Sequence, residues 1–161
     1  MRIEQWRFYQ ALSLIAATAL SAWPLPEGLA PWQPHWIAMV MIFWVITQTG
    51  KAGFGMAWVA GLASDLIAGN WIGIHIVSYS IIVYLCARFY RTLQFSGSLE
   101  TSLPVGLLLA LHLGYLHLLS IFLSNVDPGL IFWASLPTSM VVWPILYFLM
   151  KKIPAGEPGL P

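Results

Sequence analysis

The chain has 161 residues, of which 59% are hydrophobic and 8% charged, with a net charge of +1. Soluble domains carry roughly 25% charged residues, so seven Lys/Arg and six Asp/Glu are too few to cover a water-exposed surface; disorder and basic nucleic-acid binding are excluded by the same balance, and a lone cysteine, Cys86, excludes an intramolecular disulfide and a multi-cysteine metal centre. What remains is an integral membrane protein, and at roughly 20 residues per spanning helix the chain holds about six helices in one membrane domain covering 1–161.

The charges and turn residues divide the chain. Residues 1–7 form a polar start with Arg2, Glu4 and Arg7, and the first span is expected at about 8–23, stopped by Pro24-Leu25-Pro26. Small residues at 17–22 resemble a signal-peptide end, but the rest of the chain is equally apolar, so this segment reads as a retained helix. The stretch 24–34 holds four prolines, a glycine, Leu25, Leu29 and Trp32, the composition of a loop lying in the membrane interface. The second span is expected at 35–48, short or tilted, then a turn at 49–53 and a third span at 53–68. Gly69-Asn70-Trp71 makes a tight turn into a fourth span at 72–89, whose end Arg88 and Arg91 mark. A polar loop leads to the fifth span at 101–123. The turn chemistry of Asn125-Val126-Asp127-Pro128-Gly129 precedes the sixth at 130–150, and a proline-bearing tail follows.

With six spans, all seven basic residues fall on one side: Arg2 and Arg7, Lys51, Arg88 and Arg91, Lys151 and Lys152. The three opposite loops hold Glu27, Asn70 and Asp127 and no Lys or Arg. The positive-inside rule then places both termini in the cytoplasm. The fold class expected is all-α, a six-helix integral membrane bundle; runs apolar all round argue against the alternating strands of a β-barrel.

An ionisable residue inside a span costs about 2.5–3.5 kcal/mol on insertion scales. Asp65 is the carboxylate well within a span, roughly 18 Å along its helix from Gly53 at 1.5 Å per residue. The turn at 69–71 brings its helix beside that of His75, so an Asp–His pair can form. One reading is a proton or substrate site; the other is a carboxylate that bonds backbone amides and fixes the hairpin. His112 and His117 are five apart and share no face, so they read as neutral histidines bonding neighbouring helices, and no metal or other cofactor is expected. No Gly-x-Ser-x-Gly, His-Glu-x-x-His, P-loop or Cys-x-x-Cys motif occurs. No catalytic residue is assigned, and the chain does not read as an enzyme.

Gly53, Ala57, Gly61 and Asp65 follow a four-residue spacing, a stripe that lets another helix backbone approach closely. Gly69 and Gly73 form a GxxxG at a turn, and Gly106 and Ala110 make a second small face. The stripe serves either internal packing or a partner's helix. Of nine tryptophans, Trp6, Trp23, Trp32, Trp36, Trp71 and Trp133 lie near span ends as an aromatic belt. Trp44, Trp58 and Trp143 lie deeper, where they line a groove or fill gaps between helices.

Several features recur together in one known family. Pro34-His35-Trp36 opens the second span and Phe43-Trp44 follows within it; then come Asp65-Leu66-Ile67-Ala68-Gly69 with Gly73, Ser80-Ile81-Ile82-Val83-Tyr84, Trp143-Pro144 and a basic Met150-Lys151-Lys152-Ile153. In this order and length the chain resembles the rod shape-determining MreD family, most specifically over 61–84. The resemblance implies a non-enzymatic role in the cell-elongation complex of rod-shaped bacteria, in the cytoplasmic (inner) membrane beside the single-span protein MreC. That assembly connects the MreB filament inside with peptidoglycan synthases outside, a penicillin-binding transpeptidase and RodA. In helix count the family is also similar to the substrate-binding components of energy-coupling-factor transporters, a likeness of fold and not of activity. On this reading the stripe from Gly53 to Gly61 and the hairpin at 65–73 shape the docking site for MreC, with membrane lipid and a second copy of the chain as further partners. The competing reading is a vitamin- or lipid-binding transporter component with a groove lined by Trp44, Trp58, His75 and Asp65. An intramembrane hydrolase is a third class, for which no nucleophile–base pair is evident.

Overall fold

The computed structural model describes residues 2–48, 53–69, 71–94, 97, 99–125 and 127–153. Among them the chain forms six α-helices and no strand: α1 (Arg2–Ala22), α2 (Trp36–Thr47), α3 (Phe54–Ala68), α4 (Ile74–Gln94), α5 (Ser102–Ser124) and α6 (Ser135–Lys151). Two short 3₁₀ turns, Ala30–Trp32 and Leu130–Ala134, precede α2 and α6 and pack on each other. The charged start of the chain belongs to α1, and α4 continues past Arg88 and Arg91 to Gln94.

The sequence of α2, WIAMVMIFWVIT, has no polar face, and a helix apolar all round belongs in a core. Every residue from Ile37 to Ile46 is buried, and α2 packs against each of the other five helices. At 12 residues it is about 18 Å long, well short of the roughly 30 Å hydrocarbon layer of a bilayer. Its neighbour α5, with 23 residues, extends about 35 Å. The stretches Ser102–Leu123 and Leu130–Lys151, 22 residues each, are long and apolar enough to cross a membrane; Phe54–Ala68 and Ile74–Phe89 are shorter apolar helices. Leu103, Leu107 and Leu111 on α5 and Val141, Ile145 and Leu149 on α6 are all at least half exposed. Their four-residue spacing puts each trio on one outward face, an arrangement suited to lipid and not to water.

The closest packing joins α3 to α4. A Cβ added to Gly61 would stand 2.5 Å from the Ile76 Cα, so only glycine lets these two backbones approach so closely. Gly106 does a similar job between α5 and α6, where a Cβ would meet the Met140 side chain. The indole N–H of buried Trp143 ties α6 to the start of α5 by donating to Thr101 Oγ1 at 3.0 Å. The α3–α4 hairpin turns through Gly69 (φ +62°) and Gly73 (φ +111°), backbone conformations that side chains with a Cβ resist; Asn70 lies outside the described residues. Asn125, at φ 53°, ends α5 in the same left-handed conformation, and Asp127 Oδ1 accepts the Gly129 N–H at 2.8 Å to shape the following turn. In the loop after α1, Gln33 Nε2 donates to the carbonyls of Leu20 and Ser21 at 2.9 and 3.1 Å, supplying partners to the otherwise unpaired last turn of that helix.

Helix direction sorts the charges. Arg2 and Arg7 lie in the first turns of α1, Arg88 and Arg91 in the closing turns of α4, and Lys151 ends α6. These positions share one end of the bundle; the α3–α4 hairpin with Asp65 lies at the other. Lys51 falls outside the described residues.

Candidate functional site

Asp65 is 1% exposed in the last turn of α3. Three donors converge on its carboxylate from the far side of the hairpin. The Gly73 N–H donates to Oδ2 at 2.7 Å; the His75 N–H donates to Oδ1 at 3.0 Å; and His75 Nδ1 lies 2.7 Å from the same oxygen. The first two come from the start of α4, where backbone N–H groups have no intrahelical acceptor. Asp65 is thus a capping group delivered by the preceding helix. Both arrangements expected for Asp65, backbone amides and a histidine partner, occur together. Charge-assisted hydrogen bonds of this kind offset the cost of holding a carboxylate in an apolar bundle.

A carboxylate acceptor at Nδ1 fixes the orientation of the His75 ring, and an imidazole whose one N–H is at Nδ1 presents a lone pair at Nε2. Around it lies a polar cluster drawn from five helices. Tyr79, one turn on along α4, shares a hydrogen bond with Ser64 of α3 at 3.1 Å and stacks on His112 of α5 with ring centroids 5.1 Å apart. His112 Nδ1 lies 2.6 Å from Ser78 Oγ, while its Nε2 is buried without a hydrogen-bond partner among the described residues. His35, at the start of α2, meets the His112 ring edge-on at 5.2 Å; its Nε2 lies 3.1 Å from Ser135 Oγ, and its backbone N–H donates to Ser139 Oγ on α6 at 3.1 Å.

Beside the cluster is a cavity of about 410 Å³ whose lining includes His35, Ser64, His75, Tyr79, Leu113 and Ser135. It follows from the shortness of α2. The central helix starts late, and the proline-rich loop before it and the Leu130–Ala134 turn only partly fill the end of the bundle. Leu113, midway along α5, marks how deep the space reaches.

Chemically the site pairs an Asp–His dyad with hydroxyls. Among the described residues no hydroxyl is hydrogen-bonded to His75, so the dyad lacks the third member of a Ser–His–Asp arrangement. No group of three or more His, Cys, Asp or Glu among the described residues could hold a metal ion.

A model of the family described as rod shape-determining protein MreD matches residues 2–153. The chain belongs to the MreD family. It is also 29% identical over 157 residues to the rod shape-determining protein MreD of Haemophilus influenzae, covering 94% of this chain and 93% of that one. No solved structure matches it. Family membership assigns the chain to rod-shape determination, and with its two long apolar helices it is a membrane protein.

In this MreD-family fold, the residues expected to act together separate into two groups. Gly53 is the exposed N-cap of α3. Ala57, Gly61 and Asp65 are buried, and Gly61 lies against α4 of the same chain. The stripe therefore packs internally in this bundle. Gly69, Gly73 and His75 form the turn and the Asp65 contact described above. The groove expected from Trp44, Trp58, His75 and Asp65 is not formed. Trp44 is fully buried within α2, its indole N–H donating to Ser13 Oγ of α1 at 2.8 Å, whereas Trp58 is 62% exposed on the outside of α3. Neither lines the cavity. His117 is separate again, its Nε2 3.6 Å from Asp127 Oδ1. Sequence reading missed His35, Ser64, Ser78, Tyr79 and Ser135 as members of the polar cluster. For Ser64, Ser78 and Tyr79 the available signal was depth, each lying five or six residues from the turn at 69–73; His35 and Ser135, at the starts of α2 and α6, carried no such signal.

Proposed function

We propose that this chain is a non-enzymatic, multi-pass scaffold of the bacterial cytoplasmic membrane that binds MreC and thereby coordinates peptidoglycan synthesis with cell elongation. The family match over residues 2–153 carries the reading. Physical features agree with it. The basic residues among those described gather at one end of the bundle, the end that the positive-inside rule assigns to the cytoplasm, and both termini belong there. Short connections and a rigid central helix suit a platform for another membrane helix. MreB, RodA and a penicillin-binding transpeptidase join through the same assembly.

Depletion of the protein in its own host, with cell shape followed by microscopy, tests the reading. Rods should round up and recover when the chain is supplied from a plasmid. Rods that keep their width and length through depletion would contradict it.

A further inference from the structure

The cavity at the start of α2 is unexplained by a scaffold role, and its lining has a distinct chemistry. Among the described residues, none that lines it is Lys, Arg, Asp or Glu. A phosphate or carboxylate would find no cation there, and an amine would find no anion; burying either unpaired is costly. The available groups are neutral and hydrogen-bonding. His75 Nε2, held by the Asp65 contact on the opposite nitrogen, has no protein partner among the described residues and offers an acceptor. Ser64 and Tyr79 share one hydrogen bond between two hydroxyls, so one hydroxyl hydrogen is left over as a donor. The His75 and Tyr79 rings lie 5.9 Å apart on the lining of one cavity, and an acceptor and a donor there match a group that both donates and accepts, namely a hydroxyl. Ile67, Leu113 and Phe132 supply apolar wall for the carbon skeleton, and the volume falls within the range of small-molecule sites.

We propose that this cavity binds an uncharged hydroxyl-bearing group, of the size of a glycerol or a single sugar, with His75 Nε2 accepting the ligand hydroxyl's hydrogen. Such a group arrives either as the head of a neutral lipid or as a free polyol.

The test uses the full chain in lauryldimethylamine oxide, a detergent without a sugar head. Native mass spectrometry follows adducts with 1-monooleoylglycerol, with free glycerol, and with methyl oleate, which has the same chain and no hydroxyl. A one-to-one adduct with monooleoylglycerol or glycerol, and none with methyl oleate, is expected; binding of the lipid alone assigns a lipid head, and binding of glycerol assigns a free polyol. His75→Phe should weaken binding by about tenfold or more, the effect of one hydrogen bond to a buried group. Ala30, in the 3₁₀ turn before α2, also lines the cavity and has no polar side-chain atom, so Ala30→Trp should crowd the space and abolish binding while leaving the thermal midpoint unchanged. If His75→Phe does not fold, Ala30→Trp decides. Equal binding of methyl oleate, undiminished binding by either folded variant, or no adduct with either hydroxyl probe overturns the proposal.

Discussion

The carboxylate of Asp65 at the end of α3 and the imidazole of His75 at the start of α4 meet at 2.7 Å, with the His75 backbone N–H donating to the same oxygen at 3.0 Å. One acidic side chain thus closes a hairpin, caps the next helix and orients a histidine.

That triple role separates two substitutions. Asp65→Asn keeps one acceptor oxygen for His75 but sets an amide N–H₂ against the Gly73 N–H, and should cost about 1–3 kcal/mol, the penalty of one unsatisfied buried group. Asp65→Leu strips acceptors from all three donors and should prevent accumulation of folded protein. Thermal unfolding in detergent and the amount of folded protein in membranes check both. Equal stability of the two variants would mean that hydrogen bonding is not what Asp65 supplies.

Two glycines of α3 should respond oppositely to alanine. Gly61→Ala forces a Cβ to 2.5 Å from the Ile76 Cα, so the helices must part, an overpacking cost of about 1–3 kcal/mol. Gly55→Ala meets nothing within 4 Å and should gain up to about 1 kcal/mol from helix propensity. Unfolding midpoints of the pair measure the difference directly. Because Gly61 holds the fold together, loss of MreC binding in Gly61→Leu would report unfolding as readily as a lost docking face.

The hairpin turn makes a third test. Gly69 sits at φ +62°, a region where Asn is tolerated and β-branched residues are strained. Gly69→Asn should be nearly neutral, and Gly69→Val should cost about 1–2 kcal/mol or more. Chemical denaturation of the purified variants gives the ordering, and a Val variant as stable as the Asn variant would contradict it.

Tryptophans supply a fourth. Trp44→Ala removes a fully buried side chain and its bond to Ser13, and should cost about 3–5 kcal/mol. Trp58→Ala acts on an outward side chain and should stay within about 0.5 kcal/mol. Similar losses at both sites would refute the placement of Trp58 on the outer face.

These pairs show how far the sequence could be read. The Asp65–His75 contact was legible because an intramembrane carboxylate demands donors and the glycines at 69 and 73 mark a turn that brings α4 back beside α3. Burial of α2 was legible in part: twelve residues without a polar face belong in a core, yet its shortness, and the cavity that results, needed the other helices in place. Trp44 and Trp58 looked alike because tryptophan suits both a core and a lipid face, and only the neighbours decide. The cluster of His35, Tyr79 and His112 was hidden by separations of tens of residues; each polar side chain alone reads as a local bond within its own helix pair. The stripe from Gly53 to Gly61 announced close helix packing correctly but carried no information on whether the second helix was its own.

On the proposed function, the chain works by holding MreC in the membrane. The most direct measurement is co-expression with the MreC encoded by the same organism, gentle solubilisation and affinity purification through a tag on one protein. A stable complex that survives size-exclusion chromatography is predicted. A chain that elutes folded and alone, with MreC elsewhere, would contradict the account.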